Sequence, residues 1–209
     1  MEELMQEDTL KQFLPATESW FRKTFGEPTK IQREAWPAIA DGKHVLVSAP
    51  TGTGKTLSAF LVFIDQLGGL AERGELKEEL YVIYVSPLKS LAGDIRENLR
   101  KPLEGIGAEA PGESKAESRP GNPSIGQIQA AIRTGDTPQK ERQRMVKHPP
   151  HILIITPESL YLMLTSKSGR QVLKTAKAII LDELHALIDT KRGAHLMLSV
   201  ARLDKLCGR

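Results

Sequence analysis

The sequence predicts a three-layer α/β domain built on a mainly parallel central sheet. Three observations predict it. Four short runs rich in apolar and β-branched residues, His44 to Ala49, Tyr81 to Ser86, Ile152 to Thr156 and Ala178 to Asp182, carry no polar alternation, the pattern of strands buried on both faces. Segments of helical period alternate with these runs, as crossover connections between parallel strands require. The 209 residues, 40% hydrophobic and 26% charged, suit one globular domain with room for a sizeable core.

In chain order, the first run leads into Leu57, Phe60, Leu61, Ile64 and Leu67, spaced as one face of a helix. The second leads into a helical stripe of Leu91, Ile95 and Leu99. Residues 104 to 126 then hold five glycines, three prolines and four glutamates, with only Ile106 and Ile125 as large apolar side chains. That composition predicts a flexible surface insert. A fifth, less apolar strand candidate covers Ile128 to Arg133, and a polar helix over Pro138 to Lys147 is stopped by Pro149 and Pro150. After the last run, Leu196, Val200, Leu203 and Leu206 mark a closing amphipathic helix.

Composition also excludes. The single cysteine, Cys207, can form neither an internal disulfide nor, alone, a structural zinc site. No apolar stretch approaches the ~18 residues of a membrane span, and the acidic start (Glu2, Glu3, Glu7, Asp8) is unlike a signal peptide. The expectation is a cytoplasmic chain with no membrane partner. The net charge of +3 neither demands nor excludes a nucleic-acid partner. Bases do gather locally, five against two acids between Arg133 and Lys147, and Lys140, Arg142, Arg144 and Lys147 read as a solvated helix face.

Each run ends in chemistry. Ligands of open parallel sheets bind outside the carboxyl ends of the strands, and there the sequence places Ala49 to Thr56, Ser86 to Lys89, Thr156 to Ser159 and Asp182 to His185. Ala49-Pro-Thr-Gly-Thr-Gly-Lys-Thr56 fits a phosphate-binding loop, with Ala49 at its first glycine position. Gly52 and Gly54 let the backbone curl so that N–H groups, those of Thr51 and Thr53 among them, face phosphate oxygens. Lys55 supplies a point charge and Thr56 a hydroxyl for Mg²⁺, at a helix N-terminus. Adjacent carboxylates such as Asp182 and Glu183 are in isolation an ordinary solvated pair. Beside a phosphate loop, one suffices for Mg²⁺, which keeps several waters, and the other can orient or deprotonate the water attacking the γ-phosphate. Gln32 has a carboxamide that matches the N6/N7 edge of adenine.

Taken in order, Gln32, the phosphate loop, Ser86 to Leu91, Arg133 to Thr137, Thr156 to Leu160 and Asp182 to His185 resemble the motifs of superfamily 2 helicases of the DExH kind, in their first RecA-like domain. Trp20 to Thr29, Arg133 to Pro138 and Gly193 to Leu196 look like the large helicase-related (Lhr) proteins. The resemblance implies a RecA-like fold and Mg·ATP hydrolysis driving translocation on a strand, single-stranded DNA in preference to RNA, 3′ to 5′, by a monomer. It casts Gln32 as adenine reader, Lys55 and Thr56 as phosphate and Mg²⁺ ligands, Asp182 as the Mg²⁺ carboxylate, Glu183 as base, and His185 as the link between nucleotide and strand. Pro87, Lys89, Thr134, Gly135, Thr156 and Glu158 fall in segments that line the strand path of such helicases.

Residues 1–209 thus read as one ATP-binding domain with an insert at about 104–126, and the second RecA-like domain of the family is absent from the sequence. An arginine finger from such a domain is worth ~10³–10⁵ in turnover, or roughly 4–7 kcal/mol. Weak Mg·ATP binding and little hydrolysis are therefore expected of this chain alone. Two alternatives stay open: a non-catalytic module that grips a strand or a partner with its nucleotide site idle, and an ATPase with no nucleic-acid role.

Overall fold

Four strands, β1 (Val82–Val85), β2 (Ala130–Arg133), β3 (Ile152–Ile155) and β4 (Ala178–Leu181), make one wholly parallel sheet in the order β2-β3-β1-β4. The computed structural model describes residues 8–50, 53–87, 91–109 and 127–208. The chain divides into two compact units, one of residues 1–76 and 100–128, the other of residues 77–99 and 129–209.

The sheet belongs to the second unit. β1 and β3 are central and buried along their whole length, whereas the outer strands β2 and β4 are half-buried. Side chains alternate between faces along each strand. Ile83 and Val85 of β1, Leu153 and Ile155 of β3, and Ile179 and Leu181 of β4 share one face. That face packs with Leu160, Met163, Leu173, Leu196 and Leu203 from α6 (Pro157–Thr165), α7 (Lys167–Leu173) and α8 (Lys191–Cys207). Val82, Tyr84, Ile152 and Ile154, on the opposite face, are no less buried. The helices α4 (Leu91–Glu109) and α5 (Gln139–Lys147) complete the alternation of strand and helix.

The first unit is helical, with α1 (Pro15–Phe25), α2 (Lys30–Ala40) and α3 (Lys55–Glu72). Its core is aromatic. Trp36 is fully buried and meets Phe13 at 4.9 Å and Phe21 at 5.3 Å, both edge to face. Trp20 lies so close to Gly105 of α4 that a Cβ there would sit 2.1 Å from its Nε1. Asp65 of α3 accepts the backbone N–H of Leu14 at 2.8 Å, tying α3 to the start of α1.

Two expectations are corrected. His44 to Ala49 forms no strand; Val45 and Leu46 are 38% and 82% exposed. An apolar run becomes a strand only where a neighbour supplies a ladder, and among the described residues the register pairs of the sheet run through β1 to β4 alone. The less apolar Ile128 to Arg133 run holds β2 instead. The insert begins later than expected, because residues 104–109 continue α4, with Ile106 fully buried. The rest of the insert lies outside the described residues. No helix among the described residues is long and apolar enough to cross a membrane.

Candidate functional site

The phosphate-type loop enters α3 through Gly54, whose φ of 83° is left-handed and whose conformation a side chain would strain. A side chain would also crowd Gln32, since a Cβ on Gly54 would lie 2.7 Å from Gln32 Nε2. Gln32 is held there by the start of α2. Thr29 caps that helix, its hydroxyl accepting from Gln32 N at 3.3 Å, while Gln32 Oε1 accepts from Thr29 N at 2.9 Å. This reciprocal pair is a capping box. Thr29 also donates to the carbonyl of Thr53 at 3.2 Å. Gln32 is therefore 3% exposed and braces the loop through α2, a role beyond that of an adenine reader. Thr53 donates to Pro50 O at 2.8 Å, and Lys55 Nζ donates to the carbonyls of Ala49 and Pro50. The lysine thus lies along its own loop, and Thr56 follows in the first turn of α3. Thr51 and Gly52 lie outside the described residues.

In the second unit the sheet gathers the remaining candidates. Val85 pairs with both Ile155 and Leu181, and Ile155 pairs with Arg133, so all four strands end level. The next residues, Thr134, Thr156, Ser86 and Asp182 in sheet order, form a row about 14 Å long at ~4.8 Å per strand. Asp182 N donates to Val85 O at 3.0 Å, and its Oδ2 accepts the hydroxyl of Tyr84. Glu183 follows with φ 50°, ψ 39°, a left-handed conformation that costs of order 1–3 kcal/mol outside glycine. His185 Nε2 stands 3.1 Å from Glu183 Oε2 in the 3-10 turn Leu184–Ala186.

The strand-path candidates divide. Thr134 and Gly135 sit in a turn after β2 that is held from within and from α5. Thr134 N donates to Thr137 Oγ1 at 2.9 Å, and Arg142 donates to the carbonyls of Thr137 and Gly135, each at 2.7 Å. Arg142 is thus no plain solvated residue, correcting that expectation. Burial, and then the neighbouring Arg142 charge, press the pKa of the Arg133 guanidinium below its ordinary value. The two guanidiniums are thus close enough to repel, and that of Arg142 lies against exposed Gly135. Thr156 is corrected too: it is 2% exposed, and its hydroxyl caps α6 by accepting from Ser159 N at 3.4 Å while donating to Ser159 Oγ at 3.1 Å. Pro87 is buried and Lys89 lies outside the described residues. Glu158 is exposed but paired with Arg192 of α8, Nη2 to Oε2 at 3.1 Å. That hydrogen bond is the main cause holding its carboxyl below the usual range.

Tyr84, Arg142 and Arg192 were not among the sequence-predicted site residues. A signal existed for Thr29, since Thr-x-x-Gln before a helix is a capping-box pattern. Register supplies one for Tyr84, which shares a face with Ile180 and hence with the position two beyond it, Asp182. No group of three or more His, Cys, Asp or Glu able to hold a metal occurs among the described residues. Mg²⁺ does not need one: a single hard carboxylate, with phosphate oxygens and water, suits it, and Asp182 has that chemistry.

Comparison with known proteins agrees with this geometry. Residues 29–208 match the DEAD/DEAH box helicase family. The chain is 48% identical over 194 residues to an ATP-dependent helicase Lhr-Core of Methanothermobacter thermautotrophicus, covering 93% of this chain and 22% of the relative. It is 46% identical over 200 residues to an Lhr helicase/uracil glycosylase of Escherichia coli, covering 93% and 12%. Among solved structures, Mycobacterium smegmatis helicase Lhr bound to ssDNA and AMP-PNP superposes with a TM-score of 0.83 at 46% identity, over 96% of this chain and 24% of that one. The chain spans about a fifth or less of the length of these two curated relatives.

Proposed function

The chain belongs to the DEAD/DEAH box helicase family, and on that premise we propose that it is the ATP-binding half of a nucleic-acid translocase, with a second RecA-like domain in the full-length protein. The observation that carries this reading is the likeness to M. smegmatis Lhr, a protein solved with single-stranded DNA and an ATP analogue. The level row of strand ends supports it, because it presents an acidic pair and a braced turn along one sheet edge.

In this reading Gln32 meets the adenine, and Thr51 to Thr56 take the phosphates, with Lys55 giving the charge. Thr56 and Asp182 hold Mg²⁺, which when bound neutralises phosphate charge. Glu183 orients and deprotonates the attacking water, and His185 passes the nucleotide state to the strand. Thr134 and Gly135, backed by Arg142, meet strand phosphates through backbone N–H groups, a contact blind to sequence. Single-stranded DNA is the proposed strand, travelled 3′ to 5′.

The test is ATP hydrolysis by the full-length protein with and without single-stranded DNA or RNA of equal length. Stimulation by DNA above RNA is expected. Lys55→Ala should abolish hydrolysis, and Glu183→Gln should lower it by at least a hundredfold while nucleotide stays bound. Hydrolysis indifferent to any strand would instead mark an ATPase without a nucleic-acid role. Strand binding without nucleotide affinity would mark a non-catalytic module.

A further inference from the structure

We propose that Tyr84 is a positioning residue for Asp182, fixing which carboxylate oxygen is left to face a divalent cation. The inference rests on the reading of Asp182 as the Mg²⁺ carboxylate. Tyr84 lies in the central strand β1 and is fully buried. Its neighbours Val82, Ile83 and Val85 are aliphatic, so packing at this position calls only for an apolar side chain. A phenol hydroxyl in such a place is unfavourable unless it finds a hydrogen-bond partner. Asp182 Oδ2 is a partner. The contact is built by register: Tyr84 pairs with Ile180, Asp182 follows two residues later, just past the end of β4 and on the same face, and a tyrosine is long enough to reach that diagonal neighbour.

The consequence concerns the other oxygen. The torsion that turns a carboxylate about its last bond is broad, so an untethered Asp182 would sample many orientations. With the backbone N–H of Asp182 bonded to Val85 O and Oδ2 taken by the hydroxyl, Oδ1 is the oxygen left to bind a cation in monodentate fashion. Partners that orient a metal-binding side chain typically contribute 10–100-fold in metal affinity.

The test uses Mn²⁺ as the probe, titrated with saturating ADP and followed by electron paramagnetic resonance. The native protein is compared with Tyr84→Phe, Asp182→Asn and Ile83→Val. Tyr84→Phe keeps the ring and should weaken Mn²⁺ binding roughly tenfold, leaving ADP affinity in EDTA unchanged. Asp182→Asn should weaken it further. Ile83→Val, which loosens the core on the opposite face, should lower the melting temperature without changing Mn²⁺ affinity. Mn²⁺ affinity within twofold of native in Tyr84→Phe, with Asp182→Asn impaired, would overturn the positioning role, even if the melting temperature fell. Unchanged Mn²⁺ affinity in both variants would remove the assignment of Asp182 itself, and the proposal with it.

Discussion

His151 stands just before β3 with 7% of its surface exposed, and its Nδ1 accepts the backbone N–H of Gln129 at 2.9 Å. That bond requires a neutral ring nitrogen. Burial, the largest cause, lowers the His151 pKa from its ordinary 6.5. The sign of the effect follows. Below about pH 6.5 the unfolded chain takes up a proton that the folded chain still refuses, so stability present at higher pH declines as pH falls toward the folded value. Urea unfolding of the native chain should show a midpoint that drops between pH 6.5 and 5. In His151→Asn, whose amide oxygen can still accept from Gln129, the drop should be smaller. At this scale the sequence offered candidate residues without their local duties. Thr156 and Gln32 each serve a helix start, the first as a short cap and the second by reaching back from the third helical position, because the donors of a first turn lie within reach of both.

Helix starts also show how much was legible at the scale of elements. Periodicity located α3, α4 and α8, charge and a proline stop located α5, and the apolar runs located β1, β3 and β4. α6 was missed although Thr156-Pro157-Glu158 carries a cap, a proline at the first helical position and an acid in the first turn. Those residues also fit a strand-path motif, but the Thr156 hydroxyl is taken up by the helix cap. α1 and α2 were missed although Pro15 opens α1 and a Thr-x-x-Gln capping box opens α2. The run at His44 to Ala49 was over-read, since apolar content does not supply a pairing partner. Another element junction depends on a single glycine. Thr190 caps α8, and a Cβ on Gly193 would lie 2.1 Å from the carbonyl oxygen of Leu187, just past the 3-10 turn that carries His185. Backbone cannot swing aside as a side chain can. Gly193→Ala should destabilise the protein by about 1–3 kcal/mol, seen as a melting temperature lower by several degrees.

For the whole molecule, a net charge of +3 is too small to drive strand binding by bulk attraction. In the proposed function, placement does it instead, through the braced turn after β2 and the Arg133–Arg142 pair. Three or four phosphate contacts predict that log K for single-stranded DNA falls against log salt with a slope of about −2 to −3. Filter or fluorescence titration of the full-length protein across a salt series measures that slope, and a flat line would contradict phosphate contact.

The shared finishing line of the four strands carries a constraint on length change. One residue inserted within β4 would swing Asp182 to the other side of the sheet, away from Tyr84. Two would bring it back but carry it about 6.6 Å past its neighbours, at 3.3 Å each. Insertions beyond the strand tips disturb neither parity nor level. The chain can thus grow in its connecting segments while its strands behave as a fixed measure, whose graduation is a single peptide unit.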